Sequence, residues 1–357
     1  MGVRLRVVLD QVADIVDADQ ATASDDLVAG LIATAPSGCE VEAIVPARAV
    51  PAHEGLAGVR TLSLPRRELA AAWQLGVVPG VGGGLIHAPT IMAPLVRHDR
   101  VHDNDQTTAT LWDLRAWEAP DTLTKSVVAW HKGMLRRATK HADAVVVPSH
   151  AFAERLGEIA KLGERIRVIP GAAPSGFTVP LDADQRRSAL SVPRGFVVLT
   201  GTEATLAAGF RAAAAAGVDT VVLDAAEGAE PRIAEVAAAA GLAESRAHVR
   251  GALSAPDRAA VLAAASALVA TDPGTAWPWR AIEAMTLGVP VVAVDSGVHR
   301  DVIADGGAIA DEADIVDALL AAVGPASRRL SVLGSDRARA FSWLSSAERV
   351  WSLHADL

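Results

Sequence analysis

One acid, Glu283, stands in an otherwise apolar helical stretch of "TAWPWRAIEAMTLGVPVVAV". Either it lies at the exposed edge of its helix, paired or solvated, or it holds a ligand, because an ionised carboxylate is purely an acceptor. A second grouping, "HDRVHDND", gathers His98, Asp99, His102, Asp103 and Asp105. Carboxylates and imidazoles in such a run suit a divalent cation. The plainer alternative is a polar turn with an Asp–Arg pair through Arg100. The basic run "HKGMLRRATKH" (131–141) reads as the solvated face of a helix or as a contact for anionic lipid headgroups. "VPGVGGGLIH" is glycine-rich but leads into a strand rather than from a strand into a helix, so it reads as a tight turn and not a phosphate loop. His131 and His150 read as helix-start or packing residues. Neither G-x-S-x-G nor H-E-x-x-H occurs, which leaves hydrolase readings without support.

These residues need a frame to hold them. Short apolar strands alternate with helical stretches throughout: "RVVL", "VEAIV", "LIHA", "TTATLW", "AVVV" and "IRVI", then "FVVLT", "TVVLD", "HVRG", "ALVA" and "PVVAV". Such alternation gives parallel sheets wrapped by helices. Ser24 is expected to cap "SDDLVAGLIATA". Pro278 suits a first helical position and Gly288 a helix end. The stretch 171–195, with three prolines and three glycines, reads as a linker. The expected division is 1–172, 173–335, and a terminal helix in 336–357. In open parallel sheets ligands bind beyond the carboxyl ends of the strands, so both halves are expected to offer loops to a central cleft.

Composition bounds the answer. A chain of 357 residues exceeds one ordinary core. Its formal charge of −9 speaks against a general nucleic-acid binder. The single cysteine, Cys39, rules out an intramolecular disulfide or a cysteine-built metal site. No apolar run reaches the length of a spanning helix. The expectation is a cytoplasmic protein, with membrane contact through the basic run.

The order of motifs goes further. "GALSAPDRAAVLAAASALVATDPGTAWPWRAIEAMTLGVPVVAVDSGVHRDVI" resembles the donor-binding region of GT-B glycosyltransferases of family GT4. "IHAPT…APL", "TLWDLRAWEAPDTLT…AWHKGMLRRATKHADAVVVPSHAFAERL", "RIRVIPG" and the closing "FSWLSSAERVW" are similar to its acceptor domain and last helix. The resemblance implies an α/β protein of the GT-B fold, two Rossmann-like parallel-sheet domains facing a central cleft. It implies metal-independent transfer of a hexose, with retention, from a nucleotide-diphosphate sugar to a glycan or lipid acceptor, with no cofactor and no nucleic-acid partner. It places Glu283 on the ribose hydroxyls and Thr275 at the donor sugar. Ala276, Trp277, Trp279 and Arg280 fall around the pyrophosphate, with Arg211 a further cation, and Val249 and Arg250 fall near the base. Asp113 and Trp112 fall at the catalytic, acceptor side, with Ser149 and His150 beside them. The "DND" run also resembles the D-x-D of metal-dependent GT-A transferases, but the order of the chain speaks against that class.

The sequence departs from the family at four places. Thr275 stands where the family carries a first glutamate, eight residues before Glu283, and Pro278 replaces a glycine whose N–H would face phosphate. "LTGTEATLAAGFRAAAAAG" lacks the Arg and Lys that grip the pyrophosphate. Charge-assisted hydrogen bonds contribute about 1.5–3 kcal/mol each, so the loss of two costs roughly 3–6 kcal/mol of donor affinity. Trp112 replaces a histidine, and indole neither shuttles a proton nor accepts a hydrogen bond, although it can stack on a sugar. The glycine pair of the first loop is absent too, "DQVADIVDADQ" standing in its place. These departures set a competing expectation: a catalytically inactive GT-B scaffold that binds a protein partner or regulates an active transferase.

Overall fold

The computed structural model describes residues 2–99 and 101–357, so Arg100 and its expected pairing lie outside the described residues. The chain forms two compact units. The first comprises the residues up to Gly171 together with Thr275–Trp277 and Ser342–Leu357, and the second comprises Ala172–Gly274 and Pro278–Phe341.

In the first unit seven strands run β1 Val3–Val8, β2 Cys39–Val45, β3 Gly58–Thr61, β4 Leu85–Ala88, β5 Gln106–Thr110, β6 Ala144–Val147 and β7 Ile166–Val168. They pair in parallel in the order β3-β2-β1-β4-β5-β6-β7. The second unit repeats the design with β8 Phe196–Thr200, β9 Asp219–Val222, β10 Ala247–Val249, β11 Leu268–Ala270, β12 Val291–Val294 and β13 Ala308–Ala310. Its parallel order is β10-β9-β8-β11-β12-β13. Both are Rossmann-like sheets covered by helices, as the strand–helix alternation predicts. Strands such as "AVVV" and "VVAV" are buried throughout, which is why they read as continuous apolar runs. One core gathers Trp73, Met92, Leu95, Met134 and Phe152, and the other Phe210, Ile233, Val269 and Leu319.

Several expectations need correction. Strands β3 and β13 go unread in the sequence because both are edge strands of three or four residues, too short to show a pattern. The strand expected to reach Trp112 ends at Thr110. The first helix spans Ala18–Ala33 and is capped by Asp17, whose side chain accepts from the amides of Asp19 and Gln20. Ser24 is therefore internal, with its hydroxyl on the Gln20 carbonyl. The expected linker holds a helix, Ala183–Ala189. Pro278 precedes the helix Trp279–Thr286 as its N-cap, and Gly288, at φ +71°, closes it as expected. The terminal helix, Trp343–Asp356, packs within the first unit: Gly30 gives room for the Trp343 carbonyl, and Trp351 Nε1 donates to the Leu31 carbonyl at 3.1 Å. Among the described residues no helix is long and apolar enough to cross a membrane.

Candidate functional site

Within the second unit, Glu283 lies on the helix Trp279–Thr286 and is 1% exposed. Its carboxylate is held by two arginines. Arg258 donates from Nε to both oxygens at 3.1 Å and from Nη2 to Oε1 at 2.6 Å. Arg280 donates from Nη1 to Oε1 at 3.1 Å. Arg280 then turns its other edge to Asp224, with Nε to Oδ2 at 2.8 Å and Nη2 to Oδ1 at 3.2 Å. Asp224 follows β9 with φ at +61°, a left-handed conformation that aspartate tolerates better than most residues. The acid that seems isolated in the sequence is one member of a chain running Asp224–Arg280–Glu283–Arg258. Burial of charges on this scale requires such pairing.

The carboxyl ends of β8 and β11 carry a group of hydroxyls. Thr271 Oγ1 donates to the Thr200 carbonyl at 3.1 Å and to Thr205 Oγ1 at 3.2 Å, and Thr205 Oγ1 in turn accepts from the Thr202 amide at 2.9 Å. Gly201 is required beside them, since a Cβ there would collide with Thr271 Oγ1. Arg211 points instead to Glu312 at 2.7 Å. Val249 ends β10, half-buried, and the Arg250 guanidinium is bound to the carbonyls of Leu190, Ser191 and Val249. Trp279 is half-buried in the first turn of its helix.

Within the first unit, Trp112 is buried, donates from Nε1 to the Pro89 carbonyl at 2.8 Å, and meets Trp343 edge to face at 6.4 Å. Its carbonyl accepts from the Trp277 amide at 3.2 Å. Gly171 closes this cluster, because a Cβ would press on both Trp112 and Trp277. Thr275 donates from its amide and its hydroxyl to Glu118 Oε2, at 3.2 and 2.9 Å, and Ala276 lies half-buried between Thr275 and Trp277.

Asp113 accepts from the Arg115 amide at 3.0 Å and Arg115 Nη2 at 3.2 Å, and shares Gln20 and Arg115 with Asp17. Burial pushes the Asp17 carboxyl above its ordinary range, opposed by the Gln20 amide. Asp10 is likewise pushed up by burial, opposed by Arg66 at 2.9 Å and by the Thr90 hydroxyl. Ser149 is a helix cap accepting from the Phe152 amide, and His150 is the exposed first residue of that helix, so each is accounted for by its own helix start rather than by Asp113.

The other sequence motifs take structural places. His98 bonds Asp143 at 2.7 Å, Asp99 caps the turn at Val101 and His102, and Asp105 accepts from the Gly84 amide. Among the described residues no three His, Cys, Asp or Glu side chains converge as a metal site. In the glycine-rich turn Arg6 donates to the carbonyls of Val81 and Gly83. The basic run falls on the helix Lys125–His141, where His131 Nδ1 lies 3.0 Å from the Val127 carbonyl. Lys132 and Arg136, with Trp117, Leu135, Ile159 and Lys161, line a hollow of about 440 Å³.

Arg258, Asp224, Thr271 and Asp17 escape sequence reading. The available signal for Arg258 is a lone cation on the apolar face of "RAAVLAAAS", matching the lone acid of the later helix.

Comparison with known proteins is consistent with this architecture. Residues 204–326 match the family model described as "Glycosyl transferases group 1". None of the curated proteins matches the chain in sequence. Among solved structures, sucrose-phosphate synthase from Thermosynechococcus elongatus is similar at 20% identity and a TM-score of 0.64, covering 99% of this chain and 98% of that one. HepE of Anabaena, in complex with UDP and glucose, is 17% identical with a TM-score of 0.66, covering 99% and 100%. WaaG, a glycosyltransferase involved in lipopolysaccharide biosynthesis, is 14% identical with a TM-score of 0.63, covering 97% and 98%. The fold is GT-B, with two Rossmann-like domains, and the second domain carries the group 1 sequence pattern.

Proposed function

We propose that the chain is a GT4-like glycosyltransferase that moves a hexose from a nucleotide-diphosphate sugar to a glycan or lipid acceptor. Transfer proceeds with retention and without a metal or other cofactor. The observation that carries the reading is the match of residues 204–326 to group 1 glycosyl transferases, on a chain with the GT-B fold throughout. The reaction breaks the bond from the anomeric carbon to the diphosphate oxygen, whose electron pair leaves with the diphosphate. A bond to the acceptor hydroxyl oxygen forms on the same face, and the hydroxyl proton is released. In this reading Glu283 serves the ribose, and Ala276, Trp277, Trp279 and Arg280 serve the diphosphate. Thr275 serves the sugar, Val249 and Arg250 the base, and Asp113 the acceptor. Cations oppose the charge on the departing diphosphate best where water is excluded, which suits the buried Arg280 better than the exposed Arg211. The reading places the enzyme in the cytoplasm, with the hollow beside Lys132, Arg136 and Lys161 facing an anionic membrane surface.

A second reading, an inactive GT-B scaffold serving a protein partner, draws on one specific observation. Glu283 is bound by two arginines and Thr275 by Glu118, so two expected donor contacts already have partners in the chain. Replacing Glu283 with Ala separates the readings. An enzyme loses donor binding and turnover while retaining its far-UV circular dichroism, whereas a scaffold keeps its partner. Unchanged turnover would remove Glu283 from the donor site.

A further inference from the structure

Arg280 has two occupied edges of unequal permanence. The Glu283 side is closed: that carboxylate is 1% exposed and is also gripped by Arg258, itself 5% exposed. Moving Glu283 away would strand a buried charge, which is costly. The Asp224 side differs. Asp224 keeps 38% of its side chain in solvent, and the pair with Arg280 uses the Nε–Nη2 edge in a two-point contact. A carboxylate released from there passes into water with little desolvation cost, whereas Arg280, 9% exposed, is left with a buried edge that calls for another acceptor.

Charge sharpens the asymmetry. Arg258, Arg280, Glu283 and Asp224 sum to zero. Without Asp224 the three buried members carry one positive charge, which attracts an anion to the edge just vacated. That planar fork accepts two oxygens of a phosphate as readily as two of a carboxylate. The exposed partner also stands at the end of the sheet where ligands of such folds bind. Asp224 comes two residues after β9, beyond the carboxyl end of a strand that neighbours the central β8. Its positive φ of 61° belongs to the class of backbone states that collect at ligand clamps and switches.

We infer that Asp224 is an internal stand-in for a phosphate group, and that Arg280 is an oxyanion receptor that exchanges Asp224 for the diphosphate of a ligand. This deepens the donor reading, on which the identity of the ligand as a nucleotide diphosphate rests, and it gives the chain a cation in place of the absent Arg and Lys. Asp224 thereby sets the affinity threshold for anionic ligands by competing with them.

The test is calorimetric titration of inorganic pyrophosphate, and separately of UDP, GDP and ADP, into the full-length protein and its D224N and R280K variants. Asparagine tolerates the left-handed backbone, so D224N keeps the loop while removing the competing charge. D224N is expected to bind pyrophosphate, and the nucleotide that fits, tighter by on the order of fivefold, the equivalent of a surface ion pair. Adding R280K, which keeps the charge but loses the fork, is expected to abolish that gain. Pyrophosphate affinity in D224N that is equal to or below that of the parent protein, or undetectable in both, overturns the inference. Tighter pyrophosphate binding in D224N with no nucleotide bound by either protein sustains the receptor and overturns the donor reading instead.

Discussion

Arg258 and Glu283 are 25 residues apart in sequence and share three hydrogen bonds in the fold. Removing one partner of a buried pair leaves the other partly uncompensated, at a cost of about 3–5 kcal/mol. Arg258→Met is therefore expected to lower the unfolding free energy by about that amount in urea denaturation, and a loss below about 1 kcal/mol would show that Arg280 alone suffices. Gly201→Ala tests the neighbouring hydroxyls. A methyl group driven toward Thr271 is expected to cost about 1–3 kcal/mol as overpacking, read in the same experiment, and no loss would mean that the Thr271 side chain yields freely. At this scale the sequence is only half legible. Glu283 is conspicuous because an acid among Ala281, Ile282 and Met285 demands a reason. Its partners are not, because Arg258 and Asp224 lie on other elements and meet it only through the order of the strands. The same holds for Asp17: a residue that looks like one of four loose acids in a loop is a helix cap that shares Gln20 and Arg115 with Asp113.

Elements were more readable than contacts. Central strands announce themselves through buried apolar runs, whereas β3, "GVRT", and β13, "AIA", are half-buried or exposed edge strands too short to set up a pattern. The terminal helix illustrates a constraint that no local pattern reveals. His354 on it bonds Gln106 Oε1 at 2.8 Å and lies 3.2 Å from Thr108 Oγ1, which also meets His87 Nδ1 at 2.8 Å. Burial pushes His87 down to about 3, helped by the His354 charge, and His354 down to about 4, opposed by Asp143. Both rings are thus neutral in the fold and protonate near 6.5 when unfolded, so their contribution is complete above pH 6.5 and drains as pH falls from there toward 4. His299 is also lowered by burial and adds in the same direction. His53 and His98, raised by their bonds to Asp25 and Asp143, lose their contribution only as pH rises through their folded values, so they do not offset the loss in this window. Stability is expected to fall by about 1.4 kcal/mol per pH unit for each of His87 and His354 between pH 6.5 and 5. Thermal melts across that range check it. His354→Gln should remove one ring's share of the slope, and a melting temperature indifferent to pH would contradict the buried neutral pair.

For the whole molecule, activity rests on the donor site, because function resides in the site and not in the scaffold. What favours an active donor site is the group 1 pattern over 204–326. What weighs against it is a set of expected donor contacts already engaged within the chain. Both considerations reduce to the free energy of holding a nucleotide diphosphate, which calorimetric titration with UDP, GDP and ADP, each also as its hexose conjugate, measures directly. Saturable binding of one of the three nucleotides and of its sugar conjugate is expected, with a Kd below about 1 mM. Absence of binding by all of them at that concentration, weaker than roughly −4 kcal/mol, would contradict the donor reading and leave the scaffold reading in its place.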